Sequence, residues 1–121
     1  MTRILLVEDD AWLAEIEAGV LTKAGYDVTV APHALAAIDY IDAGLPDAII
    51  LDVLLAGSTA FALLHELQSY SDTHDVPVIL CTNLAEQFDA KQLKTYGVKR
   101  IVNKSTMHPH DLVVAVKAIL E

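Results

Sequence analysis

Cysteine is almost missing from this chain. Cys81 is the only one, so no internal disulfide can form, and a reducing cytoplasm is the expected home. Long apolar runs are missing as well. The longest, such as Ile4 to Val7 and Ala48 to Leu51, fall far short of the roughly 20 residues that cross a bilayer, so no membrane span is expected. The N-terminal Met1-Thr2-Arg3-Ile4 runs almost at once into an acidic cluster, which no secretory leader would carry. Cations are scarce: 8 Lys and Arg stand against 17 Asp and Glu, for a net charge of -9. A phosphate backbone repels such a surface, so direct nucleic-acid binding is not expected. Neither a G-x-G-x-x-G fingerprint nor a P-loop is present, and no linker, repeat or low-complexity tract interrupts the chain. The 121 residues suit one domain spanning residues 1–121.

Two kinds of segment alternate along that domain. Short apolar runs read as strands at about Ile4–Val7, Tyr26–Val30, Ala48–Leu51, Val76–Cys81 and Val98–Val102. Helical patterns follow each. Leu13, Ile16, Val20 and Ala24 share one face of the first, which Gly25 stops. Ala34, Ile38 and Ile41 mark the second, before Gly44, and Phe61, Leu64 and Leu67 the third. The fourth, near Leu84 to Tyr96, is anchored by Leu84 and Phe88 and stopped by Gly97, and the last carries Leu112, Val116 and Ile119. Such alternation predicts an α/β fold: a doubly wound, five-stranded parallel sheet with helices on both faces. The first, third and fourth strands are continuously apolar, as central strands are. The second alternates, and the fifth holds Lys99 and Arg100, so both read as edges. The order 2-1-3-4-5 follows, a flavodoxin-like arrangement that binds ligands where strands one and three diverge.

In such a sheet, function gathers at the carboxyl ends of the strands. The first strand runs into Glu8-Asp9-Asp10, the third into Asp52, the fourth into Thr82, and Lys104 lies just past the fifth. Each has an ordinary reading: Asp9 or Asp10 as a helix cap, Asp52 as a turn residue, Thr82 as a cap, Lys104 as a solvated lysine. Together they make a different case. Neighbouring carboxylates repel and call for a cation. An all-oxygen donor set favours Mg2+, which keeps waters and accepts phosphate oxygens. A carboxylate beside that ion can act as a nucleophile and form an aspartyl phosphate, with the ion and a lysine neutralising the transferring group.

These residues resemble the receiver domains of bacterial response regulators, and the resemblance spans the whole chain. Ile4-Leu5-Leu6-Val7-Glu8-Asp9-Asp10 looks like the family's opening acidic motif and Ile49-Ile50-Leu51-Asp52 like its phosphorylation strand. Val78-Ile79-Leu80-Cys81-Thr82 looks like its hydroxyl strand and Asn103-Lys104 like its lysine. The resemblance implies that Asp52 is the phosphoacceptor, and that Glu8 and Asp9 are the metal-binding pair, with Asp9 the direct ligand. It implies that the backbone carbonyl of Leu54 joins the Mg2+ shell and that Thr82 and Lys104 contact the phosphoryl group, while Asp10 contributes charge. It also implies a histidine kinase or histidine phosphotransfer protein as donor, a downstream effector as listener, and no catalysis beyond the domain's own phosphorylation and dephosphorylation.

Several positions depart from the family pattern. Ala56 and Ala60 stand where proline and glycine are common, Asn83 where a small residue follows the threonine, and Ile101 where an aromatic is usual. Ser105 replaces the proline that follows the lysine through a cis bond; a cis bond here would cost roughly 3–4 kcal/mol. These changes bear on output rather than on phosphoryl chemistry. Two rivals remain. A flavodoxin-like cofactor binder would need a glycine- and hydroxyl-rich loop where the acidic triplet stands. A pseudo-receiver, binding proteins without phosphate, is opposed by the complete quintet Glu8, Asp9, Asp52, Thr82 and Lys104. His108 and His110 read as an exposed helix start, His33, His65 and His74 as surface residues, and Cys81 and Trp12 as packing residues.

Overall fold

The computed structural model describes residues 2–52, 57–69, 73, 75–82, 90–104, 106 and 108–120. Strand and helix alternate through β1 (Arg3–Val7), α1 (Ala11–Lys23), β2 (Asp27–Ala31), α2 (Ala34–Ala43), β3 (Ala48–Asp52), α3 (Gly57–Ser69), β4 (Val78–Thr82), α4 (Ala90–Lys94), β5 (Val98–Asn103) and α5 (Pro109–Leu120). Every strand pairing is parallel, and the order is β2-β1-β3-β4-β5, as the strand textures predict. The fourth strand begins later than expected, at Val78 rather than Val76. Pro77 has no N–H for a ladder, so it stays outside, although its carbonyl still accepts from the Ile49 N–H at 3.0 Å. The anchors expected for the fourth helix, Leu84 and Phe88, lie outside the described residues; Leu93 of α4 is buried.

Side chains alternate across each strand, which divides the core into two layers. Leu5, Val7, Ile49, Leu51, Val78 and Leu80 face α2 and α3, where Ala37, Ile41, Leu63, Leu64 and Leu67 meet them. Ile4, Leu6, Ala48, Ile50, Ile79 and Cys81 face α1 and α5, against Ala14, Leu21, Leu112, Val113 and Val116. Cys81 is therefore a buried packing residue, as expected. The register shifts between Val78 and Ile79, which pair with Val98 and Arg100, so Lys99 is the extra residue. This bulge turns the strand by one position and lets both Val98 and Ile101 reach the α2–α3 layer, three residues apart.

The α1 helix corrects one expectation. Its buried centre is Ala14, Glu17 and Leu21; Leu13, Ile16 and Val20 flank it half-buried, and Ala24 is exposed. The helix packs against both the sheet and α5, so the small Ala14 takes the closest approach and the larger side chains fill either flank. Gly25 stops the helix at φ 101°, with its N–H on the Thr22 carbonyl at 3.0 Å and the Tyr26 N–H on the Leu21 carbonyl at 3.2 Å. Those two bonds are the Schellman pattern, and they turn the chain straight into β2.

Candidate functional site

Parallel strands all point their carboxyl ends to one rim. Val7 of β1 pairs with Leu51 of β3, which sets Glu8 level with Asp52 on the neighbouring strand. Asp52 pairs with Cys81, and Thr82 pairs with Asn103, so the ends of β3, β4 and β5 follow in order. The sequence thus delivers Glu8, Asp52, Thr82 and Lys104 to four consecutive positions on the rim. The side chain of Asp52, together with Leu54 and its carbonyl, Asn83, Leu84 and the Lys104–Ser105 peptide bond, lies outside the described residues.

Glu8 is the most constrained residue of the rim. It is only 2% exposed, and its N–H donates to the Ala31 carbonyl at 3.0 Å, extending the β1–β2 ladder by one step. Its Oε1 accepts the Asp10 N–H at 3.2 Å, while its Oε2 lies 2.7 Å from Lys104 Nζ. The lysine side chain is 10% exposed, so the ion pair is largely shielded from water. It joins residues 96 apart in sequence. Lys104 is placed for this contact by its own N–H, which donates to the Thr82 carbonyl at 2.9 Å and so continues the β4–β5 ladder past Asn103. Thr82 itself is fully buried.

The acidic triplet divides its labour. Glu8 turns inward to Lys104, whereas Asp9 is exposed on the rim. Asp10 caps α1: its Oδ1 accepts from the Trp12 N–H at 3.0 Å and the Leu13 N–H at 3.1 Å. The capping reading therefore applies to Asp10, which does more than lend charge. Among the described residues no three metal-ligating side chains come together; Glu8 and Asp9 supply two carboxylates beside the end of β3.

Two features escape a reading of the sequence. Trp12 does not pack: it is 69% exposed, one residue into α1, because the inward side of that turn belongs to Ala14. His33 is on the surface as expected, but it also caps α2, its Nδ1 accepting the Ala36 N–H at 3.1 Å. His65, His108 and His110 are exposed, and His74 lies outside the described residues.

Comparison with known proteins agrees with this arrangement. The family model described as the response regulator receiver domain matches residues 4–117. The phosphate regulon transcriptional regulatory protein PhoB of Escherichia coli (strain K12) is 30% identical over 118 residues, which cover 98% of this chain and 51% of PhoB. The chain thus spans about half the length of the curated relatives it matches. Among solved structures, a candidate response regulator from Chloroflexus aurantiacus J-10-fl superposes with a TM-score of 0.81 at 34% identity, over 98% of this chain and 97% of the other. The response regulator TrrA of Thermotoga maritima, solved in complex with Mg2+–BeF, shares the fold with a TM-score of 0.80 at 24% identity, over 98% of each chain.

Proposed function

Because this chain belongs to the receiver domains of two-component response regulators, we propose that it accepts a phosphoryl group on Asp52 from a phosphohistidine. The observation that carries the reading is the ion pair between Glu8 and Lys104. It brings an acid and a cation from strands that are not neighbours to the rim where β3 ends in Asp52.

The residues fit a divalent cation. Glu8 and Asp9 offer only oxygen, one carboxylate buried and one open to solvent, and both lie on the rim at the end of β1. Such donors suit Mg2+ rather than a softer metal, and TrrA, with the same fold, was solved with Mg2+–BeF. When bound, Mg2+ would neutralise charge on the phosphoryl oxygens. The side chains do the rest. An ionised Asp52 oxygen attacks phosphorus; the P–N bond of the donor's phosphohistidine breaks as the P–O bond forms, and the leaving imidazole keeps the electron pair and takes up a proton. Lys104 holds positive charge beside the transferring group. Thr82, at the end of β4, offers a hydroxyl to a phosphoryl oxygen.

On this reading the partners are a histidine kinase or histidine phosphotransfer protein and a downstream effector, and the domain acts on no substrate but itself. No helix among the described residues is long and apolar enough to cross a membrane, and a cytoplasmic site of action fits the lone buried Cys81. The test is transfer of labelled phosphate from phosphorylated histidine kinases to the purified domain. Asp52→Asn keeps the shape but removes the nucleophilic oxyanion, so it should carry no label. Label retained on Asp52→Asn would place the acceptor elsewhere, and the absence of labelling from any donor would favour a protein-binding module that does without phosphate.

A further inference from the structure

The Glu8–Lys104 pair lies across the site rather than beside it. β1 and β5 are separated by β3 and β4, a span of three inter-strand gaps, or about 14 Å. Two long side chains close that span, meeting at 2.7 Å with both charges sheltered. The link therefore passes over the carboxyl ends of β3 and β4, where Asp52 and Thr82 stand. Both ends of the strap are groups that the proposed chemistry needs elsewhere: Glu8 for the cation, and Lys104 for the phosphoryl group.

We infer that Lys104 is a built-in competitor of the metal ion, a latch that occupies Glu8 until a divalent cation displaces it and frees the lysine. This rests on the phosphoacceptor reading and adds an order of events to it. A charge-assisted contact at 2.7 Å between shielded groups must be weakened before Glu8 can ligate fully. The latch also depends on length. Glutamate has one methylene more than aspartate, and that extra reach is what carries its Oε2 to Lys104. The other Glu8 oxygen already holds the Asp10 N–H at 3.2 Å, so the carboxylate is oriented before any ion arrives.

The experiment titrates the full chain with MgCl2 and follows heat by calorimetry and the Lys104 side-chain amine by 15N NMR. It compares wild type, Lys104→Met and Glu8→Asp, with thermal melts to establish that each is folded. Both variants remove the latch while keeping a carboxylate at position 8. Each should bind Mg2+ about tenfold more tightly than wild type, the scale of one charged hydrogen bond. In wild type the Lys104 amine resonance should move with the Mg2+ titration. Unchanged or weaker binding in both variants, with wild type binding normally, would overturn the latch and leave the phosphoacceptor reading standing. If neither wild type nor variants bind Mg2+, the metal site itself is wrong and the latch falls with it. Binding seen only in the variants would mean that the latch holds more tightly than inferred.

Discussion

Replacing Asp10 separates two jobs that the acidic triplet performs at once. Its Oδ1 accepts two N–H bonds at the start of α1, at 3.0 and 3.1 Å, and its charge sits on a rim that already carries Glu8 and Asp9. Loss of an N-cap acceptor costs about 0.5–2 kcal/mol. Asp10 is exposed, so relief of repulsion from its neighbours gives back only a few tenths of a kcal/mol, and the lost attraction to the helix dipole nearly cancels that. The net loss for Asp10→Ala is therefore about 1 kcal/mol. At about 2 cal/mol/K of unfolding entropy per residue, a chain of this length loses roughly 4 °C of melting temperature per kcal/mol. Asp10→Asn keeps an acceptor oxygen and discards the charge, so it should melt within about 2 °C of wild type. Differential scanning calorimetry of the three proteins at low and moderate salt is the assay. If Asn and Ala lose stability equally, or if Ala melts higher than wild type, charge rather than capping governs this position and the division of labour is wrong.

Two glycines should respond in opposite directions. A Cβ at Gly19 or Gly25 would meet no atom within 4 Å, so backbone alone decides the outcome. Gly19→Ala, inside α1, should stabilise by about 1 kcal/mol; Gly25→Ala, at φ 101°, should destabilise by about 1–2 kcal/mol, both read by chemical denaturation. Output should be muted. Ile101 is half-buried against the α2–α3 layer and is stiff at χ1, so a phosphoryl mimic should shift backbone NMR signals of β5 and α5 only modestly, and large changes centred there would refute this. Leu54 and Leu84 should leave the hydrolytic water poorly placed, giving a long-lived phosphoryl group; rapid loss from pure protein would count against that.

The layered fold is legible in the sequence because the physics is local. Strands buried on both faces must be apolar throughout, so β1, β3 and β4 declare themselves central, while Lys99 and Arg100 can only sit on an edge. What is not legible depends on neighbours. The buried line of α1 is set by its packing on the sheet and α5, which no periodicity within α1 encodes, and so Ala14 and Leu21 displace the Leu13–Ile16–Val20 stripe and Trp12 is left in solvent. The bulge at Lys99 is equally silent, since a strand with one residue too many looks like any other strand. For the site, the residue types at the strand ends could be read off directly. Their division of labour could not. That Glu8 faces Lys104 while Asp10 turns back to cap its own helix is a matter of side-chain direction across 96 residues of chain.

The central claim, that Asp52 takes a phosphoryl group, is tested most directly by intact mass spectrometry after incubation with a small phosphodonor and Mg2+. Wild type should gain the mass of one phosphoryl group, lose it when Mg2+ is chelated before the donor is added, and gain none as Asp52→Asn. An unmodified wild type would contradict the account, and so would an Asp52→Asn protein that is modified as fully as wild type.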